Sequence, residues 1–311
     1  MLPLQGHRHP PAVADLLAAF HRQRPLRGGS LIVTAFGDAL APRGGVVALG
    51  SLIALMAPFG LTERLVRTSV ARLALEDWLA NRRIGRRSEY CLTTHGRERF
   101  REATARIYSG PPTAWSGRWT LVLMPELCAA QRELLRRQLR WKGFGEIAPG
   151  VLAHPTTAPA AVRAYLAMNG LADAPLLLET SSPSASDAGP LVARGWDLRD
   201  LAARYARFIR RYQAVAADLD ESSRLAPLGA FVVRTLMIHE YRRIHLRDPL
   251  LPRQLLPDRW PGTTAYETCR RLYARVFAPA EAFLDAHGSR LDGPLPRPDR
   301  SVLRRFPRAR N

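Results

Sequence analysis

Residues 62–73 read Thr62-Glu63-Arg64-Leu65-Val66-Arg67-Thr68-Ser69-Val70-Ala71-Arg72-Leu73. This stretch decides the fold because it carries two faces at helical spacing. Val66, Val70 and Leu73 recur at i, i+4 and i+7, which is one inward stripe of a helix. Arg64, Arg67, Thr68, Ala71 and Arg72 lie on the other side. Thr62 is suited to cap the helix, and Glu63 complements the positive end of its dipole. A ridge of this kind suits a DNA major groove. Arginine forks onto guanine O6 and N7, a hydroxyl of Thr68 or Ser69 meets phosphate, and Ala71 permits close approach. An ordinary solvated helix face has the same composition, so the flanking sequence must decide.

Upstream, Ser30 to Leu40 reads as a helix capped by Ser30, and Arg43-Gly44-Gly45 turns the chain. Val46 to Leu49 is a short strand, and Gly50 to Met56 is a helix that stops near Pro58. Downstream, Trp78 to Asn81 and Glu89 to Thr93 read as two strands of a hairpin. The residues between them include Arg82, Arg83, Arg86 and Arg87, with Gly85 able to take the positive φ of a tight turn. Four arginines together repel one another unless an anion is near, so this wing is expected to grip phosphates or a narrow minor groove. A closing helix follows, from Thr94 to about Tyr108. Two helices, a basic helix and a basic hairpin in this order form a winged-helix signature.

The chain has 311 residues and a net charge of +19, which points to a polyanionic partner. That charge is uneven. Residues 1–108 carry 16 basic and 8 acidic side chains, residues 109–190 carry 7 and 6, and residues 191–311 carry 23 and 13. Lys142 is the sole lysine. Hydrophobic residues make up 47%, enough for packed cores, so bulk disorder is excluded. No apolar run approaches the ~20 residues that cross a bilayer, and Leu16 to Phe20 is too short an apolar core for a secretory signal. Cys91, Cys128 and Cys269 are too scattered for a disulfide framework, so a reducing cytoplasm is expected. His239, Glu240 and His245 invite a metal site, but the histidines are six apart and fall on different helix faces, so none is expected.

Several ordered motifs resemble the PaaX family. They are Gly29 to Thr34 with Phe36-Gly37-Asp38, then Leu49 to Leu61, then Glu63 to Val70. Trp141-Lys142-Gly143-Phe144-Gly145, Arg247 to Pro252, Leu255-Leu256-Pro257 and Trp260-Pro261-Gly262 continue the resemblance to about residue 285. The resemblance implies an α+β protein: an N-terminal winged helix-turn-helix, a central ferredoxin-like, Cas2-like domain, and a helical C-terminal domain. It also implies a repressor of an aromatic-acid catabolic operon, released from double-stranded operator DNA by an aryl-CoA thioester such as phenylacetyl-CoA.

The expected division is a flexible tail over 1–27, the winged helix over 28–108, and the ferredoxin-like domain over 118–180. A helical effector and dimerisation domain then spans 191–287, followed by a flexible basic tail over 288–311. Residues 180–190, rich in Ser, Ala and Pro, read as a linker. The middle of the chain reads β-α-β-β-α-β, from strand Trp119 to Met124 through helices at 127–139 and 159–169 to strand Leu176 to Glu179. A Cas2-like metal-dependent nuclease is one alternative. The likeness to Cas2-type enzymes implies an Asp at the end of the first strand as ligand for Mg²⁺, and the sequence there reads Met124-Pro125-Glu126 with no Asp, so no enzyme activity, cofactor or metal is expected. A sequence-independent nucleic-acid-coating protein is the other alternative.

In the last third, Leu198, Leu201, Tyr205, Phe208, Tyr212 and Val215 form a helical seam fit for a core or a partner copy, and a homodimer is expected. An acyl-CoA effector needs cations for its phosphates and apolar walls for its acyl group. Arg242, Arg243 and Arg247, close in sequence to a leucine-rich loop ending in Trp260, are the expected effector-binding residues.

Overall fold

A computed structural model describes residues 10–23, 28–110, 114–124, 127–171, 175–182, 184–221 and 225–307. The chain divides into two compact units. One comprises Met1–Ser109, Arg207–Arg243 and Ala265–Asn311; the other comprises Gly110–Ala206 and Ile244–Thr264. This differs from the expected division, because the first unit draws on both ends of the chain.

The first unit opens with α1 (Pro11–His21), whose Val13, Leu16 and Phe20 are buried at i, i+3 and i+7. The stretch expected as a loose tail is therefore a packed amphipathic helix over these residues. Next come α2 (Gly28–Ala35), β1 (Val46–Ala48), α3 (Leu49–Met56), α4 (Glu63–Leu75), β2 (Leu79–Ile84), β3 (Arg87–Leu92) and α5 (Thr94–Tyr108). The three strands form one antiparallel sheet in the order β1-β3-β2, the topology of a winged helix. Helix α2 begins at Gly28, so Ser30 lies in its first turn and does not cap it. Beyond α2, residues Phe36–Leu40 open into a wider π turn. Thr62 caps α4 as expected, its hydroxyl accepting from the Leu65 amide.

The second unit contains β4 (Arg118–Leu123), α6 (Ala129–Trp141), β5 (Gly145–Ala148), β6 (Val151–His154), α7 (Pro159–Met168) and β7 (Leu176–Ser181). The four strands are antiparallel in the order β5-β6-β4-β7, which is the ferredoxin-like arrangement of a β-α-β-β-α-β chain. Alternation along the strands gives each sheet face its own cover. Val122 and Leu152 pack with Leu135 and Leu139 of α6 and Val162 and Leu166 of α7. Trp119 and Ala153 pack on the other face with Leu251, Leu255 and a further helix, α8 (Ala185–Gly195). Helix α8 replaces much of the expected linker. Its start is fixed by Ser184, whose hydroxyl accepts from the Asp187 amide, and Ala188 and Val192 bury one turn apart.

Helices α9 (Leu198–Glu221), α10 (Pro227–His245) and α11 (Pro261–His287) follow, with a short hairpin of β8 (Ser289–Arg290) and β9 (Gly293–Pro294) after them. Of the expected α9 seam, Leu201, Tyr205, Phe208, Tyr212 and Val215 are buried, while Leu198 is half-buried. The loop over 248–260 is ordered around buried Leu251, Leu255 and Trp260. Of the loose tail expected over 288–311, the described residues up to 307 are packed. Within the first unit, Ser289 N donates to Ser51 Oγ at 2.9 Å, Leu291 N to Glu89 at 3.1 Å, and Asp299 N to the Pro42 carbonyl at 2.8 Å. Phe306 closes the segment, buried among Tyr108, Tyr266 and Tyr273.

Candidate nucleic-acid interface

The turn between α3 and α4 sets the angle of α4. Residues Ala57–Phe59 tighten into a 3-10 turn, and Gly60 takes φ = 73°, a conformation that favours glycine. Helix α4 then packs on α2 and α3 through Val66, Val70 and Leu73, all buried. Arg64, Arg67, Thr68, Ala71 and Arg72 are exposed on its outer side. The side chains of Arg67 and Arg72 are 56% and 80% exposed, so neither guanidinium is consumed by the interior. Each leans on a carboxylate one turn away: Arg67 Nε to Glu63 at 2.8 Å, and Arg72 Nε to Glu76 at 2.8 Å. Pairs of this kind are worth at most about 1 kcal/mol in water, so a phosphate or a base edge competes easily. Thr68 donates back to the Arg64 carbonyl at 2.9 Å. Ser69 corrects the expectation: it is 8% exposed and faces Gly29 of α2, one position off the outer ridge.

The wing differs from its expected form. Strands β2 and β3 extend to the register pair Ile84–Arg87, so the turn consists of Gly85 and Arg86 alone. Gly85, at φ = 60°, supplies the first central position of a two-residue hairpin turn. Arg82, Arg83 and Arg87 thus sit on strands, not on a loop tip. Arg82 is paired with Glu89, a carboxylate buried against the sheet and also held by Leu291 N. Arg83 Nε donates to the Gly85 carbonyl at 3.1 Å. Arg86 and Arg87 are exposed, with no ion pair among the described residues. Residues Pro125 and Glu126, weighed for nuclease chemistry, lie outside the described residues.

The expected effector residues divide between the two units, Arg242 and Arg243 in the first and Arg247 and Trp260 in the second. Arg242 is built into the first unit. Its Nε donates to Thr34 Oγ1 at 2.7 Å, and its Nη2 donates to the Ser30 carbonyl at 2.7 Å and Ser30 Oγ at 2.9 Å. Burial, with Arg243 beside it, lowers its pKa to about 10. Its Nε and Nη2 are thus engaged by α2. Arg243 is exposed on the same unit. Arg247 and Trp260 belong to the other unit, where Trp260 is buried edge-on to Tyr205 at 6.1 Å. The Tyr205 hydroxyl donates to Asp248 at 2.8 Å and lies 3.1 Å from His245 Nδ1. Trp260 therefore completes a core.

One cluster was not anticipated at all. Asp38, on the π turn, is buried and receives Arg234 and Arg305, together with hydroxyls of Tyr108 at 2.6 Å and Tyr273 at 2.9 Å. Glu281 receives Arg234 and Arg43, and Arg43 also reaches Asp285. Burial alone would raise the Asp38 pKa, but Arg234, Arg305 and the Tyr108 hydrogen bond outweigh it and hold the carboxyl below its ordinary range. The available signal was Asp38 itself, a lone acid inside the apolar run from Leu31 to Leu40.

The fold and this face define a winged-helix protein that also carries a ferredoxin-like domain. Residues 27–96 match the model of PaaX-like proteins, residues 112–192 that of the PaaX protein central Cas2-like domain, and residues 196–286 that of the PaaX-like protein C-terminal domain. The chain belongs to the PaaX family. It is 40% identical over 286 residues to the Transcriptional repressor PaaX of Escherichia coli (strain K12), covering 91% of this chain and 90% of that protein. Among solved structures it is similar to the uncharacterized protein Rv0674 from Mycobacterium tuberculosis, with a TM-score of 0.50 and 24% identity over 75% of this chain and 89% of that one. That likeness concerns the fold alone.

Proposed function

We propose that this protein is a ligand-responsive transcriptional repressor of an aromatic-acid, phenylacetate-type catabolic operon. It acts in the cytoplasm as a homodimer on a two-fold operator and is a regulator, not an enzyme. The observation that carries the reading is the outer ridge of α4, where Arg64, Arg67, Thr68 and Arg72 are exposed while Val66, Val70 and Leu73 hold the helix from behind. In this reading α4 enters the major groove, with arginines on guanine edges, and Arg86 and Arg87 of the wing contact the backbone beside it. The repressor relative supports the direction of control. Release follows binding of an aryl-CoA thioester such as phenylacetyl-CoA.

A gel-shift titration on the promoter nearest the gene tests this, with and without a panel of aryl-CoA thioesters. A discrete complex that one thioester dissolves is the expected result. Binding of all DNA alike, with steep salt dependence and no response to thioesters, would replace it with a coating protein.

A further inference from the structure

The wing sorts its side chains into a base and a tip. At the base, Arg82 pairs with Glu89 across the hairpin, and Leu291 N donates to the second oxygen of that carboxylate. Arg83 leans back on the Gly85 carbonyl. The tip that remains is Ile84, Arg86 and Arg87 around the two-residue turn. Arg86 and Arg87 are exposed cations. Ile84 is the residue that a purely electrostatic wing does not need: it is large, apolar and 56% exposed.

Strand alternation gives Ile84 no apolar company. The residues that share its face are Arg82 two positions back, Arg87 directly opposite and Glu89 diagonally across. A lone exposed aliphatic is ordinary on a protein surface. This one closes the turn of a hairpin whose neighbouring side chains are charged. The hairpin also has a fitting length. Strand β2 begins at Leu79, just after α4 ends at Leu75. From Leu79 to Ile84 it covers about 17 Å at ~3.3 Å per residue. Half a helical repeat of B-DNA, the offset between a major groove and the next minor groove, is also about 17 Å.

The minor groove is narrowest and most negative over A·T pairs. An aliphatic side chain between guanidinium groups suits it, with the cations at the phosphate rims and the aliphatic group against the base edges. A guanine at that point puts its N2 amino group into the groove, where an aliphatic group collides with it and leaves its N–H unsatisfied. We propose that Ile84 is a specificity-determining residue, which enters the minor groove beside the half-site read by α4 and selects A·T over G·C pairs there. This inference rests on the repressor reading for its operator. It goes beyond that reading by giving the wing a sequence preference, where Arg86 and Arg87 supply affinity alone.

Fluorescence anisotropy of the full chain on operator duplexes tests it. The flank next to each half-site should carry A·T pairs, and two further duplexes replace them with G·C or with inosine·cytosine pairs. Inosine lacks the N2 amino group and keeps the major-groove edge of guanine, so a minor-groove contact treats it as A·T and a major-groove contact as G·C. The wild-type chain should bind the G·C duplex about tenfold more weakly, and the inosine duplex within about twofold of the original. Ile84→Thr keeps the branched β-carbon that suits a strand, so a role limited to the fold of the wing would leave that penalty intact. The penalty should instead fall below about threefold, with the salt slope unchanged because no cation is lost. Ile84→Val, which keeps an aliphatic side chain, should restore most of it, and both variants should unfold at the wild-type temperature. A full penalty in Ile84→Thr, or G·C and inosine flanks treated alike by the wild-type chain, overturns the inference and leaves the repressor reading standing. A wild-type chain that protects no discrete site removes the repressor reading, and this inference with it.

Discussion

Arg67 and Arg72 stand in water on α4, each beside a carboxylate one helical turn away. Arg43, Arg234 and Arg305 lie at 1%, 1% and 9% exposure, sharing Asp38, Glu281 and Asp285. The side chain is the same and its use is opposite. In water the counter-charge is cheap to leave, so the α4 guanidinium groups remain available to an anion. In the interior a charge survives only with its partners in place, because desolvation costs several kcal/mol per ion. Arg234 spans Asp38 and Glu281, and Arg305 brings the end of the chain onto the π turn. The buried set is architecture, and the exposed set is the surface that the proposed function uses.

That contrast breaks first at its buried side. Arg234→Met leaves Asp38 and Glu281 short of a cation and should cost about 3–5 kcal/mol in urea unfolding. A loss under about 1 kcal/mol would mean that the cluster is not a structural tie. Removal of residues 305–311 deletes Arg305 and the Phe306 packing and should cost about 3 kcal/mol, read as a lower melting temperature.

On the exposed side, Arg67→Ala or Arg72→Ala should cost about 1–3 kcal/mol of operator affinity and relax discrimination at one base position. Their unfolding free energy should change by less than about 0.5 kcal/mol, and a larger change would erase the distinction drawn here.

His239 extends the contrast to protons. Burial first, then Arg242 and Arg243, lowers its pKa from 6.5 to about 3. The folded chain keeps this imidazole neutral where the unfolded chain protonates it. Stability is therefore intact above pH 6.5 and falls as pH drops toward 3, by up to about 1.4 kcal/mol per unit. Asp38 adds its own loss only below its ordinary 3.8. His239→Gln should flatten stability between pH 6.5 and 4.5, and an unchanged slope would assign the effect elsewhere. The smallest effect is at the wing: Arg86→Ala should weaken all DNA alike and lower the slope of log affinity against log salt by about 1.

Local pattern alone made most of the elements legible. Thr62 as cap, the Val66-Val70-Leu73 stripe and the order β-α-β-β-α-β all follow from spacing and turn chemistry. The outer ridge of α4 was legible for the same reason, apart from Ser69, where a step of one residue turns the side chain about 100° inward. The wing was misjudged in length because Arg82, Arg83 and Arg87 have a loop's composition but pair as strands. Helix α8 was hidden by its serines and Pro190, since its only strong signals are the cap at Ser184 and two buried positions. The contacts of Arg242 with α2 and of Trp260 with Tyr205 were not legible, because proximity in sequence says nothing about which partners the fold supplies.

By itself, then, the sequence determined most of the segments that are helix or strand, which faces are apolar, and that an arginine ridge lies on the outer side of α4. Only the tertiary structure decided which arginines are reserved for the interior, that residues 289–307 pack into the same unit as the first helices, and that three helices each contribute residues to both compact units. The physical reason is range. Helical and strand periodicity act over a few residues, while the partner of a buried charge is chosen by desolvation across hundreds, as when Asp38 meets Arg234 and Arg305.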